Sequence, residues 1–171
     1  MKRFSIIIIT IITILAIETL AQQGKAGKIG IGYSGDLTSA TNEWGMSFWL
    51  SNRVVLEPQL GFVSVDIKDN SATAWKPGLG FLYRFNDFIV SSFIGARIKG
   101  NILSNDSKTY SDLILSLVFG GEYFVSEYFS VGAEMRLNYV KTDKDFSPSY
   151  DVANASILES EQVLNIRIYF W

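Results

Sequence analysis

The sequence predicts an all-β protein, an eight-stranded antiparallel up-and-down barrel. Three observations carry that reading. Apolar and polar residues alternate with a period of two through most of the chain, and a strand turns successive side chains to opposite faces. The segments follow one another through short breaks, which places sequential strands side by side. No helical period appears after residue 21. Among 171 residues there is no Cys and no His, and the net charge is −2. One domain is the default at this length.

The N-terminus differs in kind. Met1, Lys2 and Arg3 open the chain with positive charge, and residues 4–17 (FSIIIITIITILAI) form an apolar run. Glu18 ends it, and Ala21 closes a small-residue cleavage pattern before Gln22. A basic start, an apolar stretch and such a site describe a secretory signal. The run is short for a spanning helix, which needs ~20 apolar residues. Residues 1–21 are therefore expected to be a cleavable signal peptide, and residues 22–171 the barrel domain.

The first strand alternates Ile29, Ile31 and Tyr33 with Lys28, Gly30, Gly32 and Ser34. A polar, turn-rich loop (35–42) follows. In the second strand Trp44, Met46, Phe48 and Leu50 oppose Glu43, Gly45 and Ser47, and Trp49 breaks the rule. After a tight turn at 51–53, the third strand sets Leu56, Pro58, Leu60 and Phe62 against Glu57, Gln59 and Gly61. Its parity flips at Val63 and Val65, which predicts a β-bulge. A loop is expected at 67–73. The fourth strand opposes Trp75, Pro77, Leu79, Phe81, Tyr83 and Phe85 to Lys76, Gly78, Gly80 and Arg84. Asn86-Asp87 is a two-residue hairpin turn. The fifth strand (88–99) sets Val90, Ile94, Ala96 and Ile98 against Ser91, Phe93, Gly95 and Arg97, and 100–108 is another polar loop.

Residues 111–140 (SDLILSLVFGGEYFVSEYFSVGAEMRLNYV) are the clearest hairpin. Leu113, Leu115, Leu117, Phe119 and Tyr123 share one face; Asp112, Ser116, Gly120 and Glu122 share the other, with Ile114 and Val118 as exceptions. Past a turn at 125–128, Phe129, Val131, Ala133, Met135, Leu137 and Tyr139 oppose Ser130, Gly132, Glu134, Arg136 and Asn138. The longest loop is expected at 141–159. The last strand sets Leu164, Ile166, Ile168 and Phe170 against Asn165, Arg167 and Tyr169. Pro58 and Pro77 are the two irregularities, because proline cannot donate to a strand ladder.

Two closed barrels fit this pattern. A soluble lipocalin-like barrel would turn its apolar face inward around a small apolar ligand; a transmembrane barrel reverses the faces. The polar face carries Gly30, Gly32, Gly45, Gly61, Gly78, Gly80, Gly95, Gly120 and Gly132, with charges of both signs. Small residues and paired charges suit a narrow interior, whereas Gly weakens an exterior strand. Eight rows of large apolar residues exceed the inside volume of so small a barrel. Aromatics also cluster at strand ends: Phe85, Phe88, Tyr123, Phe124, Tyr128, Phe129 and Tyr169 near the short turns, Tyr33, Trp44, Trp75, Tyr110 and Tyr139 near the long loops. Two such belts mark membrane interfaces. The apolar face is therefore expected to meet lipid.

The signal segment, the hairpin GGEYFVSEYFSVGAE and the aromatic final strand NIRIYFW together resemble the eight-stranded outer-membrane barrels of the OmpA/OmpX type. The resemblance covers about residues 25–171. It implies export to a Gram-negative outer membrane, contact with outer-membrane lipid, and recognition of a terminal aromatic by the barrel-assembly machinery. Phe170 holds the outward register and Trp171 is one residue extra, so either could be that signal.

Glu57, Arg84, Arg97, Glu122, Glu134, Arg136 and Arg167 are expected to form a structural charge network in the lumen, since buried charges are normally paired. Without His, Ser–His and Asp–His chemistry is excluded, and no enzyme is expected. No cofactor is implied: no Gly-rich nucleotide loop joins a strand to a helix. Asp66, Asp69 and Asn70, or Asp143 and Asp145, read as ordinary loop acids rather than metal ligands. Mild acidity argues against nucleic acid. A narrow channel is the remaining alternative, although eight strands leave room for side chains and little more. The expected role is structural or surface-interacting, with an extracellular partner meeting loops 35–42, 67–73, 100–108 and 141–159.

Overall fold

Eight antiparallel strands close into one barrel in the computed structural model, each paired with its sequence neighbours and the first with the last. The structure describes residues 26–36, 42–67, 70–85, 89–104, 108–147, 150 and 152–170, with the side chains of residues 36 and 63–72 excepted. The expected signal peptide (1–21), Phe88 and Trp171 lie outside the described residues. The strands are β1 (Ile29–Asp36), β2 (Asn42–Trp49), β3 (Val54–Ile67), β4 (Asn70–Arg84), β5 (Val90–Ser104), β6 (Thr109–Ser126), β7 (Phe129–Lys141) and β8 (Ser156–Phe170).

The period-two pattern becomes two walls of different chemistry. Outward stand Ile31, Trp44, Leu60, Leu79, Phe81, Ile98, Leu117, Met135, Leu164 and Ile168, all well exposed. Inward stand Glu57, Arg84, Arg97, Glu122, Glu134, Arg136 and Arg167, all 4% exposed or less. Burial in β7 alternates without interruption from Ser130 to Val140.

Several strands run further than their apolar pattern. The loop expected at 67–73 is mostly strand, with β3 reaching Ile67 and β4 starting at Asn70. Likewise β5 extends to Ser104 and β8 starts at Ser156, shortening the loops expected at 100–108 and 141–159. Past the apolar band most outward positions turn polar (Ser156, Ser160 and Gln162 on β8, with Leu158 between them) while the ladder to β7 continues. Backbone pairing needs no apolar side chain, so alternation ends before the strand does.

The bulge expected after Phe62 is absent. β3 and β4 pair one to one from Val54↔Tyr83 to Ile67↔Asn70. A register shift falls instead between Phe124 and Ser126, beside the 127–128 turn. The two prolines interrupt the ladder without shifting it. The β2–β3 pairs pass from Gly45↔Gln59 to Phe48↔Leu56, skipping Pro58, and the β4–β5 pairs pass from Trp75↔Ile102 to Gly78↔Lys99, skipping Pro77. On its other side each proline keeps its place, as Pro58↔Leu79 and Leu60↔Pro77.

The short turns lie at the end that holds both termini of the barrel, where Ile29 pairs with Phe170. Ser51 tightens the 50–53 turn, its Oγ accepting from the amides of Arg53 (3.3 Å) and Val54 (3.1 Å).

Candidate functional site

The lumen is where the polar residues of all eight strands converge. Cross-strand volume decides how it is filled. Each of the nine polar-face glycines sits opposite a long side chain in the register: Gly30 faces Tyr169, Gly32 Arg167, Gly45 Gln59, Gly61 Lys76, Gly78 Lys99, Gly80 Arg97, Gly95 Leu82, Gly120 Phe93 and Gly132 Glu122. The long side chain lies across the bare backbone. A Cβ on Gly30 would come 2.7 Å from the Tyr169 ring, one on Gly78 2.9 Å from Lys99 Cγ, and one on Gly80 2.6 Å from an Arg97 guanidinium nitrogen. Small opposite large is how a narrow barrel fits side chains into its interior.

Charged groups form an alternating ladder along the lumen. At the short-turn end Arg84 pairs with Glu122, which also accepts from the hydroxyls of Ser130 and of Tyr169 (2.5 Å) and lies 3.4 Å from Arg167. Arg167 reaches Glu57 at 3.0 Å, and Glu57 accepts from Ser47 Oγ at 2.8 Å. Arg97 bridges Glu57 and Glu134, 2.9 Å from each. Arg136 donates to Glu134 at 2.5 Å and to Glu43 at 3.0 Å; Glu43 in turn takes Lys99 at 2.8 Å. Glu161 closes the series, 3.4 Å from Arg136 and 3.8 Å from Lys99.

Among the described residues five cations thus meet five carboxylates in this ladder, and all seven residues expected from the sequence take part. Glu43, Lys99 and Glu161 were not singled out. Glu43 and Lys99 fell at strand ends, and Glu161 in a stretch without apolar alternation. Their shared signal was parity with known lumen positions. The arrangement satisfies charge with charge, which is what desolvated ions require.

Below this ladder the lumen turns apolar. Trp49, Val55, Leu82, Phe93, Val118 and Tyr169 form one buried cluster, with Phe124 packed against it. The Arg84 guanidinium lies 4.6 Å over the Trp49 ring and 5.5 Å over Phe93, a cation–π arrangement. The residues that broke alternation in the sequence, Trp49 and Val118, are therefore interior residues of this end. Tyr169, expected in the aromatic belt, is also inside, 2% exposed.

At the long-loop end the β7–β8 connection folds against β6. Asp112 accepts from the Asp143 amide (3.0 Å) and from Ser147 Oγ (2.8 Å), and both Asp112 and Ser147 are buried. Asp143 accepts from the amides of Asp145 (2.9 Å) and Ser111 (3.1 Å), which holds its carboxyl below the ordinary range. Burial, and then a hydrogen bond to Glu159, push the Tyr150 phenol up. The Asp143 carboxylate thus serves loop geometry, with Asp145 contributing its backbone amide, whereas the side chains of Asp66, Asp69 and Asn70 lie outside the described residues.

No protein-family description matches the chain, and no protein of curated function does. Solved structures do resemble it. Neisserial surface protein A aligns at 15% identity over 84% of this chain and 94% of its own, with a TM-score of 0.54. The N-terminal β-barrel domain of Pseudomonas aeruginosa OprF aligns at 14% identity over 85% of this chain and 98% of its own, also at 0.54. Both are small eight-stranded outer-membrane barrels. The chain has the fold of these barrels. At such identities the likeness is one of architecture, and it matches the resemblance read from the hairpin and the aromatic last strand.

Proposed function

We propose that the protein is a membrane-spanning barrel of a Gram-negative outer membrane, with a structural or surface-interaction role. One observation carries this reading: the exposed wall is apolar on every strand while a ladder of ion pairs runs through the buried interior above its aromatic end. In water an apolar belt encircling a monomer would be untenable, since exposed apolar patches on soluble proteins rarely exceed a few hundred Å². In a bilayer the same belt is the lipid-facing surface, and a closed barrel leaves no unpaired sheet edge in hydrocarbon. The exported lipocalin-like alternative needs an apolar interior, and among the described residues the ion-paired ladder inside this one joins five carboxylates to five cations.

The lumen reads as a plug. Its charges are paired along its length and its short-turn end is filled with aromatic rings. With both ends of the barrel chain on the periplasmic side, the connections around 37–41, 68–69, 105–108 and 142–155 face outward and are the surface offered to an extracellular partner. Phe170, outward-facing and half exposed, and Trp171 remain the residues proposed for recognition by the assembly machinery. No catalytic, metal or cofactor role is assigned.

Cell fractionation tests the membrane reading. The protein should stay with the outer-membrane fraction until detergent releases it, and its migration on gels should change on boiling. Release by osmotic shock as a soluble protein would refute the reading. Protease added to intact cells should cut within 142–155; complete resistance there, with cleavage only after lysis, would invert the topology.

A further inference from the structure

The long-loop edge of the apolar wall is stepped rather than level. On three adjacent strands the outward apolar face stops early, at Leu164 on β8, Tyr33 on β1 and Trp44 on β2. Beyond them the described outward positions are Gly35 on β1, Asn42 on β2, and Gln162 and Ser160 on β8, with Leu158 recurring higher up. On β3, β4, β6 and β7 the face continues to Phe62, Trp75, Leu113 and Tyr139, each about half exposed. Register converts this into height. From Gly32 the row of paired residues runs through Gly45, Gln59, Gly78, Lys99, Ile114 and Val140 and reaches β8 at Ile157, although Gly32 itself pairs with Arg167. Rows therefore climb toward the long-loop end from β1 to β8. Trp44 pairs with Leu60 and Leu60 with Pro77, and Trp75 stands two residues beyond Pro77. Two residues on a strand inclined by ~40° rise roughly 5 Å, and crossing two strands along a climbing row adds roughly 6 Å. Trp75 thus lies about 11 Å nearer the long-loop end than Trp44.

Two packed aromatic pairs mark the two levels: Tyr33 with Trp44, ring centroids 5.1 Å apart, and Phe62 with Trp75, 4.8 Å apart. Residues 37–41 (LTSAT) are too few to make up the difference, since a hairpin closing over the Gly35↔Asn42 pair gains at most about two residues per strand. A flat hydrocarbon core of ~30 Å set level with Trp75 would submerge Trp44, Gln162 and Ser160. Trp favours the interface, and polar side chains resist burial without partners. A bilayer thins at modest cost where the apolar band beside it is short. We propose that the long-loop leaflet thins against β8, β1 and β2, and that this wall gathers lipids of short acyl chain. The inference rests on the bilayer reading of the wall and not on which end faces outward.

Barrels keeping only Trp44 or only Trp75, the other tryptophans replaced by Phe, would be reconstituted in phosphatidylcholine brominated either near the headgroup or near the methyl end of its chains. Both residues should lose more emission to the bromines near the headgroup. An equal amount of unbrominated dimyristoyl phosphatidylcholine should then restore the emission of Trp44 more than that of Trp75. Ile29→Trp, at the short-turn end of the same wall, should likewise report the bromines near the headgroup. Stronger quenching of Trp44 by the methyl-end bromines would mean a flat bilayer and overturn the proposal. Methyl-end quenching at Ile29→Trp would overturn it too, by showing a rigidly tilted barrel, as would equal restoration at Trp44 and Trp75. Should Trp49→Phe fail to fold, Trp49 stays in place, because it is buried in the lumen and adds the same background to every sample. Absence of quenching at every position would instead count against the bilayer reading.

Discussion

Glu122 is the most heavily engaged carboxylate of the lumen: Arg84, Arg167, Ser130 and Tyr169 all turn toward it, and it is fully buried. Removing one partner of a buried pair strands the other charge, at a cost of about 3–5 kcal/mol. Glu122→Ala should destabilise the barrel by about that amount in urea unfolding from vesicles. Glu122→Leu combined with Arg84→Met should recover most of the loss, because apolar groups of similar volume need no partners. A double variant as unstable as the single one would show that the surrounding hydroxyls, rather than the charge pair, set the geometry.

At the level of elements, the β7–β8 connection is a folded piece with its own chemistry. Thr142 and Ala155 close its base: the Thr142 amide donates to the Ala155 carbonyl at 3.0 Å, and the Ala155 amide donates to Thr142 Oγ1 at 2.6 Å. Asp143 fixes the next turn by accepting backbone amides, which depresses its folded-state pKa below the unfolded Asp value of about 4. A depressed carboxylate contributes order that is fully present above the unfolded value and lost as pH falls through the lower folded one. The amide resonances of Asp145 and Ser111 should therefore titrate together, with a midpoint below about 4. A midpoint above it, or titration persisting in Asp143→Ala, would sever the link.

Strand elements were the part of this protein most open to reading from the sequence, because inside and outside differ so sharply along β6 and β7. Their ends were not. Ser156, Ser160 and Gln162 continue β8 in outward positions, and the adjacent Ile157 and Leu158 face opposite ways, so no regular alternation betrays a strand. The parity change at Val63 suggested a bulge that backbone pairing does not require. The seven lumen charges were readable because each continues the polar face of its strand, even where Phe93 on β5 and Val118 on β6 break the alternation. The linkage between them was not, since register between strands decides which carboxylate meets which guanidinium. Trp49, Val118 and Tyr169 looked like lapses in alternation or members of a belt, and only the closure of the barrel brings their rings together.

Taken whole, the molecule has a lumen whose chemistry is layered: aromatic at the short-turn end, and above it a ladder in which, among the described residues, five cations meet five carboxylates. Eight strands enclose little more than their own side chains. Pure barrel in a planar bilayer should accordingly give no steady, sizeable conductance across the ordinary voltage range. Stable single-channel steps from the wild-type protein would mean that the ion-paired interior yields a continuous aqueous path.

The pairing of every lumen glycine with a long neighbour has an evolutionary consequence. Lumen positions cannot drift singly. Enlarging Gly80 collides with Arg97, while shortening Arg97 opens a void and abandons both Glu57 and Glu134. Relatives of this chain should therefore exchange size across a strand pair in concert, so that the sum of two facing volumes is preserved while its division between them changes. On the lipid wall, where hydrocarbon adapts to any outline, no such correlated substitution is expected.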